Sequence, residues 1–272
     1  MAEEIGAEIL SCDSVAVYRG LDIGAAKPTT AERARVPHHL IDVADPGERF
    51  SAARWAEMAD AAIKDVVARS RRVVVAGGTG LYLRALLRGL VATPPPDPDI
   101  RARHQRMGVE ELRESLARVD PESAARIGES DRVRLSRALE VWEQTGVSMS
   151  ELLRRQPVEP RYDARIYGIE PPRAELHARI DARVQAMMAA GLLEEVRALR
   201  EKWGDSAQAL GSLGYSQLVA HLRGETTLEE AVRRIARDTK RYARRQLTWF
   251  RSEPGVLWYP SGAEIPHGDR DG

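Results

Sequence analysis

The chain has 272 residues, 43% of them apolar, with 41 basic and 41 acidic side chains and a formal charge of zero. That length supports a substantial core in one large or two smaller domains, and the balanced charge excludes a wholly basic nucleic-acid coat while leaving a local basic face open. One cysteine, Cys12, excludes a disulfide framework and a Cys-rich metal site, no apolar run approaches the roughly 18 residues that span a bilayer, and MAEEIGAEIL lacks the basic start and long apolar core of a signal peptide, so a cytoplasmic protein off the membrane is expected.

The first predicted strand is EILSC (8–12), and it runs out at a carboxylate, Asp13. HLIDV (39–43) and RVVVA (72–76) have strand length too, and Ser51 opens an amphipathic helix carrying Trp55, Met58, Ile63 and Val67. Strands alternating with helices predict an α/β fold on a parallel sheet. Prolines in VATPPPDPDI (91–100) interrupt that pattern, and the Arg-, Glu- and Leu-rich residues that follow read as an all-helical insertion over 96–160. The core domain is then 1–95 with 161–272. In its second part, ARIYGIE (164–170) reads as a strand and IDARVQAMMAAGLLEEVRALREK (180–202) as one long helix, while the tail EIPHGDRDG reads as frayed.

Three stretches carry chemistry. In open parallel sheets ligands bind beyond the carboxyl ends of strands, which is where Asp13 stands, although the same place suits a carboxylate that only caps a turn. AGGTGLY (76–82) follows the third strand; its glycines allow a close backbone approach and Thr79 offers a hydroxyl and an amide to a phosphate, although a strand-to-helix turn selects the same glycines. In ARDTKRYARRQLTWFR (236–251) and the turn before it, Arg233, Arg237, Lys240, Arg244 and Arg251 share one helical face, opposite Ile235, Tyr242 and Trp249. Acidic partners at i,i+4 are not expected, so this basic stripe suits a phosphodiester backbone better than a solvated surface.

With these stretches DSVAVYRGLDIGAAKP, VPHHLIDVADP, GGTGLY, DPDIRAR, VRLSRALEVWEQTG, GSLGYSQL and RRQLTWFR are collinear signatures, and the chain resembles the tRNA isopentenyltransferase (dimethylallyltransferase) family from about residue 3 to 259. The resemblance implies a P-loop-NTPase-like parallel core with an inserted helical domain. It implies transfer of a dimethylallyl group from dimethylallyl diphosphate to N6 of the adenosine 3′-adjacent to the anticodon of tRNA, with Mg²⁺, by a monomer that meets the anticodon stem-loop. Asp13 is then the general base and Thr79 its companion at the reaction channel, with Gly77, Gly78 and Thr79 at the diphosphate. The tRNA-contact segments are Asp13, Ser14, Val15 and Ala16; Arg101; Val133, Arg134, Leu135, Ser136 and Arg137; and Gly211, Ser212, Leu213, Gly214, Tyr215 and Ser216. The last segment is Arg244, Arg245, Gln246, Thr248, Trp249 and Arg251, joined by Arg237 and Lys240 of the stripe. Ala16 stands where the family often has Gln, which removes a side-chain contact to the base.

The family also places a G-x-x-x-x-G-K-[ST] loop about twenty residues ahead of the Asp-Ser segment. No such run occurs in the 272 residues, MAEEIG reads as the last turn of the helix that follows that loop, and turnover is expected to need the loop. Two other readings stay open from sequence: an inactive tRNA-binding remnant, and an enzyme that prenylates free adenine nucleotides.

Overall fold

The run AEILSC forms β1 (Ala7–Cys12), every residue of which except Ile9 is buried, as befits a parallel strand covered on both faces. In this computed structural model, which describes residues 1–156 and 159–266, β1 lies between β2 (His38–His39) and β3 (Arg72–Gly77) in a three-stranded parallel sheet of order β2-β1-β3. Cys12 pairs with Gly77, so β1 and β3 end level and deliver Asp13 and Gly78 to one edge. Ahead of β1, Gly6 adopts φ +64° while Ala7 N donates to Ala2 O at 2.8 Å and Gly6 N to Glu3 O at 3.3 Å. Those bonds are a Schellman motif, so the first residues do close as a helix end.

The second strand is shorter than HLIDV predicts. Leu40 and Asp42 sit at φ +63° and +59°, which no strand accommodates, and Asp42 turns to receive Lys27 at 2.5 Å and Arg33 at 2.9 Å. Helix α1 (Thr30–Arg35) supplies that arginine. Helix α2 (Ala52–Ala68) begins where Ser51 accepts the Arg54 amide at 3.1 Å. Its Trp55 is fully buried, stacks on Tyr82 at 4.9 Å and donates Nε1 to Ser11 O at 3.1 Å, locking the helix onto β1. Val67, expected on the packed face, is 57% exposed, because twelve residues at 100° each place it about 120° around from Trp55.

Helix α3 (Gly80–Arg88) ends at the second compact unit, residues 88–160. There α4 (Pro98–Arg106), α5 (Val109–Val119), α6 (Pro121–Arg126), α7 (Arg132–Thr145) and α8 (Met149–Arg155) enclose Leu112, Leu116, Leu135, Ala138 and Leu139. This unit starts ahead of the expected residue 96 because the proline stretch is tied to α7: Arg137 donates to Thr93 Oγ1 and Pro94 O, and the Asp97 amide to Glu140.

The first unit resumes at 161. β4 (Ile166–Ile169) pairs in parallel with β5 (Val256–Tyr259), a strand that sequence reading missed, to make a second sheet. The expected long helix is two, α9 (Arg173–Ala189) and α10 (Leu192–Trp203), broken by Gly191 at φ +96°. Helices α11 (Tyr215–Leu222) and α12 (Leu228–Arg251) complete the unit, whose core joins Leu10, Val17, Trp55, Val196, Tyr215 and Ile235. Strands β3 and β4 both line a cavity of about 870 Å³ that Leu83, Leu247 and Phe250 also face. The reading of 154–163 spans residues 157 and 158, and most of the frayed tail spans 267–272, which lie outside the described residues.

Candidate active site

Asp13 is the first residue past β1. Its Oδ1 accepts the amides of Val15 at 2.7 Å and Ala16 at 3.1 Å, an Asx turn. Among the described residues nothing donates to Oδ2. One oxygen therefore caps the turn and the other is free to take a proton.

Level with it, Thr79 is held at both ends. Its amide donates to Cys12 O at 3.1 Å, while its Oγ1 accepts the Ser14 amide at 3.0 Å and lies 3.3 Å from Ser14 Oγ. The matched ends of β1 and β3 thus bring Asp13, Ser14 and Thr79 together. The glycines beside Thr79 have separate reasons. A Cβ on Gly77 would lie 2.3 Å from Cys12 O, on Gly78 2.1 Å from Gln246 Nε2, and on Gly80 2.4 Å from the Trp249 ring. Gln246 Nε2 donates to Gly78 O at 2.9 Å, and Arg84 stacks over Trp249 at 4.5 Å while pairing with Glu253 at 3.0 Å. Burial pushes the Cys12 thiol up to about 12, so it stays protonated and takes no part as a nucleophile.

The segment that follows Asp13 is tethered from far away in sequence. Glu195 of α10 accepts the amides of Asp22 at 3.0 Å, Ile23 at 2.8 Å and Gly24 at 3.2 Å, as well as the Tyr215 hydroxyl at 2.7 Å. Ala16 is buried, and Ser14 and Val15 are half-buried.

Along α12 the expected absence of i,i+4 acidic partners fails at Arg233, and other cations of the stripe find acidic partners at other spacings. Arg233 pairs with Glu229 at 2.8 Å and Arg237 with Asp238 at 3.0 Å; Lys240 pairs with Asp181 at 2.7 Å, and Arg251 with Glu170. The reason is that the helix opens with two glutamates and packs along α9, which presents Asp181. Arg244 and Arg245 are exposed and have no acidic partner among the described residues; Arg245 lies over the Tyr242 ring at 5.7 Å. Thr248 is exposed, with its hydroxyl donated to Arg244 O at 3.0 Å.

In the helical unit, Arg101 and Arg137 both converge on Glu140, which is fully buried, at 3.2 Å and 2.6 Å. Ser136 bonds the buried His104 at 2.9 Å. Leu135, expected in a tRNA-contact segment, is wholly inside that unit's core, so its side chain reaches no ligand. Val133, 79% exposed, and Arg134 stand outward. In the other expected segment, Gly211 is exposed, Ser212 and Leu213 are half-buried, Gly214 is buried with φ +92° at the start of α11, and Ser216 bonds Gln217 at 3.1 Å. Tyr215 is fully buried, because Glu195 and the backbone of Gly24 claim it, so it too is unavailable to RNA.

Sequence reading missed Glu195, whose three amide donors lie more than 170 residues away, and took Tyr242 as a packing residue only. The Tyr242 hydroxyl lies against the Thr79 and Gln246 side chains; burial above all, and then the Asp13 charge, raise its pKa above the ordinary phenol value. For Mg²⁺ the fit is poor. Among the described residues no three His, Cys, Asp or Glu side chains converge, and Asp13 alone makes no cage; Mg²⁺ takes its usual ligands from one or two carboxylates plus substrate phosphates. No helix among them is long and apolar enough to cross a membrane.

Residues 16–253 match the IPP transferase family. The chain is 54% identical over 263 residues to a tRNA dimethylallyltransferase of Anaeromyxobacter dehalogenans, covering 95% of this chain and 88% of that protein. The crystal structure of a tRNA isopentenylpyrophosphate transferase from Staphylococcus epidermidis is 35% identical, with a TM-score of 0.68 over 95% of this chain and 86% of that one. A eukaryotic dimethylallyltransferase acting on tRNA, 24% identical, shares the fold with a TM-score of 0.79 over 94% of this chain and 68% of its own.

Proposed function

The chain belongs to the IPP transferase family, and from that premise we propose that it transfers the dimethylallyl group of dimethylallyl diphosphate to N6 of the adenosine immediately 3′ of the anticodon in tRNA. The observation that carries this reading is the free Oδ2 of Asp13 beside Thr79, at the level ends of β1 and β3.

An adenine amine is a weak nucleophile because its lone pair is conjugated with the ring. As N6 bonds to the allylic carbon, the carbon–oxygen bond to diphosphate breaks, diphosphate leaves with the bonding pair, and the N6 proton passes to Asp13 Oδ2. The Asx turn fixes the direction of that oxygen. Thr79 stands where its hydroxyl can orient the reacting end, and the Gly77–Gly78 backbone and the start of α3 favour the departing anion. A divalent metal, if bound, would draw its ligands mainly from the diphosphate, because among the described residues no three His, Cys, Asp or Glu side chains converge to hold one. The adenosine reaches Asp13 by extrusion from the anticodon loop. Arg244, Arg245 and Thr248 are assigned to RNA, as are Val133 and Arg134 in the helical unit, in a cytoplasmic monomer.

The test incubates the protein carrying the G-x-x-x-x-G-K-[ST] loop on which turnover is expected to depend with labelled dimethylallyl diphosphate and either unmodified tRNA or AMP, followed by nucleoside mass spectrometry. Dimethylallyl-adenosine at the position after the anticodon is expected. Product on AMP alone, or tRNA binding with no transfer, refutes the assignment.

A further inference from the structure

Gln246 falls in the segment that the family resemblance gives to tRNA, yet its side chain is turned inward. Tyr242, Gln246 and Trp249 are spaced by four and three residues and so share a face of α12. That face lies on Gly78, Thr79 and Gly80. Gln246 Nε2 donates to Gly78 O at 2.9 Å, and it occupies the space a methyl on Gly78 would need. Trp249 fills the corresponding space at Gly80, and one turn back the Tyr242 hydroxyl lies against both Gln246 and Thr79. This bond commits one Nε2 hydrogen of Gln246 to the loop.

The geometry points to Gln246 as a positioning residue for Thr79 rather than an RNA contact: it holds the Gly78 carbonyl directly and orients the Thr79 hydroxyl through Tyr242. The Thr79 hydroxyl is in turn the acceptor that fixes the Ser14 amide, next to Asp13. This rests on the prenyl-transfer reading of the Asp13 and Thr79 site.

Gln246→Met keeps the length and removes the donor. Gly78→Ala drives a methyl into the place of the amide, and because Gly78 is not in the left-handed region, that amide is the first thing the methyl meets. Each variant is expected to slow single-turnover prenyl transfer at saturating tRNA by about 10- to 100-fold, the cost of a misplaced reacting group, with the tRNA Kd unchanged within about twofold. The double variant is expected to be no slower than the slower single, since both break the same hydrogen bond. Tyr242→Phe, which keeps the packing, is expected to slow transfer in the parent but not in a Thr79→Val background.

A second readout needs no catalysis. Hydrogen exchange at the Ser14 amide is expected to quicken in Gln246→Met and in Tyr242→Phe, with α9 unaffected. If the parent transfers no prenyl group, that failure falls on the proposed reaction, while the exchange result still decides the positioning role. A raised tRNA Kd with an unaltered single-turnover rate, or unaltered Ser14 exchange in both variants, overturns the inference.

Discussion

Asp13→Asn separates the two duties of this carboxylate. The asparagine Oδ1 can accept the same Val15 and Ala16 amides, now at 2.7 and 3.1 Å, while its Nδ2 replaces Oδ2 and has no lone pair to receive a proton. Exchanging a charged for a neutral acceptor weakens those two bonds by about 1 kcal/mol each at most, so the turn survives. Removing a general base costs about 10²- to 10⁴-fold, or roughly 3–5 kcal/mol of barrier. The assay is single-turnover prenyl transfer by the full-length protein at saturating tRNA, with the tRNA Kd measured in parallel. Asp13→Ala supplies the contrast, because it loses both amide bonds and is expected to lower the melting temperature as well. An Asp13→Asn rate within threefold of the parent, or a defect confined to tRNA affinity, refutes the assignment of Oδ2 as the base.

Replacing Arg244 and Arg245 by Ala is expected to reduce the salt dependence of tRNA binding by roughly 0.7–0.9 of slope for each phosphate no longer neutralised, whereas Arg237→Ala and Lys240→Ala should change it less because Asp238 and Asp181 already neutralise them; equal slopes for all four variants contradict this. Glu195→Ala leaves three amides and the Tyr215 hydroxyl without their acceptor, and at about 1.5–3 kcal/mol per charge-assisted bond, incompletely additive, a loss of at least about 3 kcal/mol is expected in urea unfolding; a loss under about 1 kcal/mol contradicts it. The Arg69 hydrogen bonds, with help from His39, hold Glu8 at about 2 instead of 4.5. A depressed folded pKa gives stability that is complete above about pH 4.5 and is lost as the pH falls toward about 2. Glu8→Gln should therefore flatten the stability profile between about pH 5 and pH 3, and equal losses in parent and variant over that interval contradict the reasoning.

What sequence could reveal was local. Asp13 and the Gly77–Gly80 turn follow short apolar runs directly, so their place at strand ends could be read from a few neighbouring residues. Gly191 was passed over because the amphipathic pattern resumes after it, although its positive φ stops α9. β5 is four residues long, follows the long α12 and shows no alternation, so nothing marked it as a strand until its pairing with β4, some ninety residues earlier, was seen. The same distance problem hid Glu195. On α12, helical phase did separate a cationic from an apolar face, but it carried no information about Asp181 on α9, or about the glycine turn that receives Tyr242 and Gln246.

The three glycines that flank Thr79 are confined by different neighbours, and this predicts different histories for them. Gly77 meets the backbone carbonyl of Cys12, which no substitution elsewhere removes, and it adopts φ +156°. It should be invariant across related sequences whatever accompanies it. Gly78 and Gly80 meet side chains, those of Gln246 and Trp249. Their allowed alphabets should widen only in lineages where position 246 or 249 has shrunk first, so the loop and the distant helix should drift as linked pairs while their immediate neighbour in the chain stands still.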